Sequence, residues 1–139
     1  MNDLYVKQYP QDLSKFDFYG YIGEFFAEKQ YKNELPYLYN NNNRCWRLYF
    51  NKKDMLIGFC YYQEKNKNTV HLGGLYVLKE YRKNGFGTII IKDCINLFQD
   101  KTLQSTTNNP IVINMRKKQG FKEVSKKGSY ITLKKEVSK

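Results

Sequence analysis

Arg82, Lys83, Gly85 and Gly87 stand between an apolar run that ends at Val77 and another that begins at Ile89, a spacing suited to holding a pyrophosphate. The second run reads as a helix. A helix start carries free backbone N–H groups and the positive end of the macrodipole, so an anion there is held without a dedicated side chain. A side chain at Gly85 or Gly87 would obstruct close backbone approach or forbid a positive φ, and Arg82 and Lys83 add charge at the rim. The pattern is neither the three-glycine dinucleotide fingerprint nor the P-loop, since no Gly-Lys-Ser/Thr follows. Taken alone it also fits an ordinary strand-to-helix connection. A second landmark lies downstream, where Asn109-Pro110 opens a helical stretch and Gly120-Phe121 closes it, with proline at a first helical position and glycine just past the last.

The spacing Arg82-x-x-Gly85-x-Gly87 resembles the acetyl-coenzyme A binding turn of the GNAT superfamily of N-acetyltransferases, and the stretch from Asn109-Pro110 to Gly120-Phe121 resembles that family's second signature. The two occur in the family's order and cover residues 70 to 125 between them. The resemblance implies an enzyme that moves an acetyl group from acetyl-coenzyme A to a primary amine of a small molecule or protein. It implies that Leu75, Tyr76 and Val77 offer backbone groups to the pantetheine arm in the manner of an added strand. Arg82, Lys83, Asn84, Gly85, Phe86, Gly87 and Thr88 would then hold the pyrophosphate, a main-chain N–H near Leu75 would donate to the acyl carbonyl, and the Asn109 side chain would touch the cofactor.

The same resemblance directs attention to two further residues. His71, the sole histidine, lies eleven residues before Arg82, where the histone-acetylating members of the family hold the glutamate that acts as general base. Imidazole suits that task, because an unperturbed pKa near 6.5 leaves it mostly neutral and able to accept a proton at pH 7. The alternatives are a half-buried strand histidine with an ordinary hydrogen bond, Glu64, or a water chain. Arg116 stands where many members carry a tyrosine that protonates the leaving thiolate. A guanidinium is not a useful proton donor at neutral pH, so Arg116 would stabilise the thiolate by charge or contact a phosphate. The general acid stays open, with Tyr61 and Tyr130 chemically suited and nothing local to place them.

These residues need elements to position them. Leu4 to Tyr9 alternates as a first strand, and Asp12 or Ser14 caps helical structure in which Phe16, Tyr19, Ile22, Phe25 and Phe26 form the core-facing stripe. Asn33 to Asn43 reads as a loop of functional length. Cys45 to Phe50 and Met55 to Tyr62 form a hairpin around Lys52-Lys53-Asp54, the second arm buried on both faces, and Glu64 to Asn68 is the next turn. Val70 to Val77 is a fourth strand. The helix after the cradle puts Ile89, Ile90, Cys94, Ile95, Leu97 and Phe98 on its apolar side. A short strand at Leu103 to Thr106 precedes the second signature, and Phe121 to Val124 pairs with Tyr130 to Leu133 around Lys127-Gly128. The fold class is therefore α/β (α+β): a central mixed, mostly antiparallel sheet of six to seven strands flanked by about four helices, the GNAT order.

The 139 residues suit one domain, 1–139, with no repeat or linker. No basic stretch with an apolar run opens the chain and no apolar run approaches membrane length, so the expected location is the cytoplasm, without membrane contact. Cys45, Cys60 and Cys94 are odd in number and lack Cys-x-x-Cys spacing, which predicts reduced, buried thiols and no metal site. The formal charge of +11 raises a nucleic-acid partner as an alternative, not the favoured one. Lysine dominates the basic residues beside many Asn and Tyr, a mixture that A/T-rich coding yields by itself, although nine basic residues stand against two acidic ones from Met115 onward. Two alternatives to the amine acetyltransferase follow: a GNAT-fold protein that modifies or binds nucleic acid, and a catalytically silent GNAT-like binding domain. A polyamine or aminoglycoside acceptor would favour several carboxylates, yet Glu24, Glu28, Glu34 and Glu64 are few and read as solvated. The resemblance also implies a homodimer.

Overall fold

The computed structural model describes residues 3–27, 40 and 43–137. Its elements follow the chain as β1 (Leu4–Tyr9), α1 (Lys15–Ala27), β2 (Cys45–Asn51), β3 (Leu56–Asn66), β4 (Thr69–Val77), a 3-10 turn (Lys79–Tyr81), α2 (Phe86–Leu97), β5 (Thr102–Thr107), α3 (Pro110–Lys118), β6 (Lys122–Lys127) and β7 (Tyr130–Lys135). The seven strands form one sheet in the order β1-β2-β3-β4-β5-β7-β6. Every pairing is antiparallel except β4 with β5, which the α2 crossover makes parallel. Three α-helices occur among the described residues, where about four were expected. None is long and apolar enough to cross a membrane. Most of the expected Asn33 to Asn43 loop, with Glu28 and Glu34, lies outside the described residues.

Alternation along the strands divides the core into two layers. On one face Phe18, Ile22 and Phe25 of α1 pack on Trp46, Leu48, Phe50, Phe59, Tyr61 and Tyr76. On the other, Ile90 and Cys94 of α2 join Phe121, Tyr49, Cys60, Val70, Leu72, Leu103 and Leu133. The three cysteines are free thiols and buried.

The sequence pattern misassigned part of α1. Ser14, not Asp12, begins the helix, its Oγ accepting from the Asp17 N–H at 3.0 Å. Asp12 instead accepts from the Gln8 N–H at 2.8 Å. The buried stripe is Phe18, Ile22 and Phe25, while Phe16 is 86 % exposed and Tyr19 lies at the surface. Aromatic residues recur on two sides of this helix, so periodicity alone could not rank the faces. Two other boundaries also shift. β3 continues through Glu64 to Asn66 and turns at Lys67-Asn68, with Asn66 Oδ1 accepting from the Asn68 N–H at 2.8 Å. Leu97 is exposed and Phe98 is already the C-cap of α2, so the buried face of that helix is Ile90, Ile91 and Cys94.

Candidate active site

The centre of the site is the place where β4 and β5 part. Their pairing covers only Thr69, Val70 and His71 against Thr102, Leu103 and Gln104. From Leu72 to Val77 the β5-facing edge of β4 has no strand beside it, so unpaired backbone groups line the gap. Leu75, Tyr76 and Val77 lie on this open edge. The Tyr76 side chain is buried against Phe25 and Phe59, with ring centres 5.3 and 5.5 Å away, so what Tyr76 presents to the gap is its backbone.

A β-bulge shapes that edge. Tyr61 pairs with Gly73 and Phe59 with Tyr76, which sets Gly74 and Leu75 against the single residue Cys60. Gly74 takes φ +62°, the left-handed conformation that such a bulge needs. The extra residue changes the alternation: Val70 and Leu72 point toward α2, whereas Tyr76 points toward α1 with His71 and Gly73. The adjacent glycines in a strand pattern were the available signal for this bulge. Gly73 also makes room for Tyr61, because a Cβ there would lie 2.5 Å from the phenol oxygen.

The cradle follows β4 directly. Arg82 Nε donates to the Val77 carbonyl at 2.8 Å, and its guanidinium lies 5.0 Å from the Tyr76 ring centre, so Arg82 braces the turn against the strand. Asn84 Nδ2 donates to the carbonyls of Tyr81 and Arg82 at 3.2 and 3.1 Å. Lys83 (φ +65°) and Gly85 (φ +81°) both turn left-handed, and Gly85 caps α2 without any side-chain acceptor. The N–H groups of the first turn, Phe86, Gly87 and Thr88, have no intrahelical acceptor. Space beside Gly85 is open. Gly87 is tighter: a Cβ there would meet Met115 Sδ at 3.1 Å, so its missing side chain also lets α3 pack on α2.

Asn109 and Arg116 lie at opposite ends of α3. Asn109 Oδ1 accepts from the N–H groups of Ile111 and Val112 at 2.9 and 3.4 Å, so this oxygen is engaged as the helix cap. At the other end Gly120 takes φ +96°, and the Phe121 N–H donates back to the Arg116 carbonyl at 3.1 Å. The Arg116 side chain is buried 5.5 Å from the Phe121 ring centre, and its Nε and Nη1 have no hydrogen-bond acceptor among the described residues. Burial pulls its pKa below the ordinary arginine value.

His71 occupies the last position at which β4 pairs with β5, opposite Gln104, and faces Gln63 of β3 on its other side. Burial, then the charges of Lys65, Arg116 and Arg44, lower its pKa to about 4. Its Nδ1 is buried without a hydrogen-bond partner among the described residues. Tyr61, one of the two tyrosines that sequence could not place, is the one the fold brings here, its ring centre 6.1 Å from that of His71. Arg44 sits 3.9 Å over the Tyr61 ring, a position that no motif announced. Glu64, the rival base, is exposed and pairs with Val70, on the opposite face of the sheet from His71.

The arrangement offers an open strand edge, an uncapped helix start, a neutral imidazole and two buried guanidinium groups. The acetyltransferase (GNAT) family model matches residues 2–121. Similar crystal structures include a GNAT family acetyltransferase from Elizabethkingia anophelis with acetyl-CoA bound, 13 % identical, TM-score 0.68, covering 98 % of this chain and 99 % of that one. The Campylobacter jejuni N-acetyltransferase PseH in complex with acetyl coenzyme A is 15 % identical, TM-score 0.69, over 97 % and 99 % of the two chains. An acyl-CoA N-acyltransferase from Pseudomonas aeruginosa is 12 % identical, TM-score 0.75, over 96 % and 98 %. At these identities the likeness is one of fold. No curated protein sequence matches the chain.

Proposed function

The chain belongs to the acetyltransferase (GNAT) family, and from that premise we propose that it transfers an acetyl group from acetyl-coenzyme A to a primary amine. The carrying observation is that the unpaired edge of β4 leads directly into the uncapped start of α2. One feature suits the amides of a pantetheine arm and the other suits a pyrophosphate, and they adjoin in that order. Two of the structural neighbours are described with acetyl-CoA bound, which supports the same donor here.

When bound, the donor supplies an activated acyl carbon. The protein's part is to hold, orient and move protons. Leu75, Tyr76 and Val77 hold the arm through backbone groups, and the N–H near Leu75 at the bulge donates to the acyl oxygen. Lys83 and the N–H groups from Gly85 to Thr88 hold the phosphates, with Arg82 and Asn84 fixing the turn. His71 accepts the proton that the amine loses. An imidazole with a pKa of about 4 does not keep a proton at pH 7, so it relays it to solvent. Lys65, Arg44 and Arg116 place a positive field at His71, and the same field disfavours an ammonium and favours the neutral amine that must attack. Arg116 contributes charge, not a proton, and offsets the negative charge that develops first on oxygen and then on sulfur. Asn109 serves the site as the cap that fixes the start of α3.

The test is acetyl-coenzyme A binding by calorimetry, wild type beside Gly85→Trp. The space beside Gly85 is open in the folded chain, so the indole enters the cradle and not the core, and at φ +81° it also strains the turn that holds the phosphates. Micromolar binding that the substitution abolishes is expected. A folded wild type that binds no acetyl-coenzyme A overturns the proposal.

A further inference from the structure

A guanidinium does not give up a proton at neutral pH, so with Arg116 on α3 the sulfur that leaves needs a donor from elsewhere in the fold. Tyr61 of β3 pairs with Gly73 of β4 and shares the α1 face of the sheet with His71, the two rings 6.1 Å apart. Its ring does not stay over its own strand. A Cβ built at Gly73 would lie 2.5 Å from the phenol oxygen and 2.6 Å from Cζ, and one built at Gly74 would lie 2.7 Å from Cδ2. The side chain therefore crosses the roughly 4.8 Å between neighbouring strands and brings its hydroxyl onto Gly73. Gly73 is two residues past His71, where β4 and β5 have already parted. The paired glycines of the bulge thus clear one path, that of this ring to the strand that borders the gap. A phenylalanine would fill the same path, so packing does not account for the hydroxyl.

An arm that enters from the cradle beyond Val77 and follows the open edge runs toward the closed end of the gap at His71, so its reactive terminus comes to Gly73 and Gly74. We propose that Tyr61 is the proton donor to the sulfur of the leaving coenzyme A. As the amine nitrogen bonds to the acyl carbon, the carbon–sulfur bond breaks and its electron pair stays on sulfur. The Tyr61 Oη proton passes to that sulfur, the free thiol departs, and the proton that the amine gave up is balanced by one that solvent returns to the phenolate. Other tyrosines are placed differently. Tyr62 meets Phe98 on the α2 face, ring centres 4.8 Å apart, Tyr76 packs on Phe25 and Phe59, and Tyr130 begins β7, which β5 separates from β4. This rests on the acetyltransferase reading above and adds the proton donor to it.

A cycle between the phenol hydroxyl and the ligand's sulfur tests the inference without any acceptor. Calorimetry compares coenzyme A with desulfo-coenzyme A, which lacks the sulfur, at about pH 7 and about pH 9, in wild type, Tyr61→Phe and Tyr130→Phe. A hydroxyl that donates to sulfur favours the thiolate, so the advantage of coenzyme A over desulfo-coenzyme A is expected to grow with pH in the wild type. At the higher pH that advantage is expected to be at least about 10-fold smaller in Tyr61→Phe and unchanged in Tyr130→Phe. Desulfo-coenzyme A is expected to bind all three proteins alike. A purely structural role for Tyr61 would weaken both ligands equally and leave their ratio as in the wild type. That result overturns this inference alone, as does a loss of the advantage confined to Tyr130→Phe. Absence of coenzyme A binding by folded wild type overturns the acetyltransferase reading and this inference with it.

Discussion

The residue that most directly tests the electrostatics of the site is His71. Its pKa in the folded chain is about 4, against about 6.5 for an exposed histidine. The unfolded chain therefore takes up a proton as the pH falls through 6.5 while the folded chain does not until near 4, so His71 costs stability across that window and nothing above it. At 1.36 kcal/mol per pKa unit, the loss between pH 7 and pH 5 is on the order of 2 kcal/mol. His71→Gln is expected to remove that part of the acid destabilisation, read as a smaller drop in urea-unfolding free energy between the two pH values. Because His71 is the sole histidine, a single imidazole resonance reports it by NMR. A midpoint near 6.5 would show that the buried, cation-flanked environment is wrong.

At the scale of elements, the bulge in β4 and the turn into α2 do most of the positioning. Gly74→Ala would force a side chain into φ +62° and bring its Cβ within 2.7 Å of the Tyr61 ring. Strain and clash together are expected to cost about 2 kcal/mol, measured by urea denaturation. Gly20→Ala in α1 is the contrasting control. Nothing lies within 4 Å of a Cβ there, so replacing a helical glycine is expected to be neutral or to stabilise by up to about 1 kcal/mol. Equal losses at the two positions would remove the special status of the bulge. The sequence announced the turn well, because glycines, basic residues and helix start are all local. It announced the bulge only as a pair of glycines, since a bulge is defined by what the neighbouring strand does.

Across the whole molecule, one polar network ties elements far apart in the chain. Arg47 of β2 donates to Asp93 of α2 at 2.6 Å and to Gln8 of β1 at 2.5 Å, and Tyr49 also donates to Asp93 at 2.6 Å. Asp93 and Tyr49 together hold Arg47 firmly charged despite its burial. Asp93→Ala leaves that charge without its counter-ion and is expected to cost about 3 kcal/mol, the scale for breaking a buried pair from one side. For a chain of this size the melting temperature should fall by roughly 10 °C, as calorimetry can check. A fall under about 2 °C would show that solvent compensates the guanidinium. The positive charge of the C-terminal third also has a structural use, since Lys122, Lys126 and Lys127 line β6, one of the two edge strands of the sheet, where lysines discourage pairing with another chain.

The sequence by itself determined the element order, the basic, glycine-punctuated turn between β4 and α2, and the capped and glycine-closed α3, because these depend on periodicity, on φ preferences and on groups within a few residues of one another. The family resemblance, carried by those motifs, directed attention to His71 and Arg116. Tertiary structure alone decided which face of α1 is buried, that β4 and β5 part just beyond His71, that Met115 of α3 packs close to Gly87, that Arg44 and Tyr61 gather beside His71, and that Arg116 is buried against Phe121. Those features join residues tens of positions apart. Their burial and charge follow from packing between strands and helices, which no local pattern encodes.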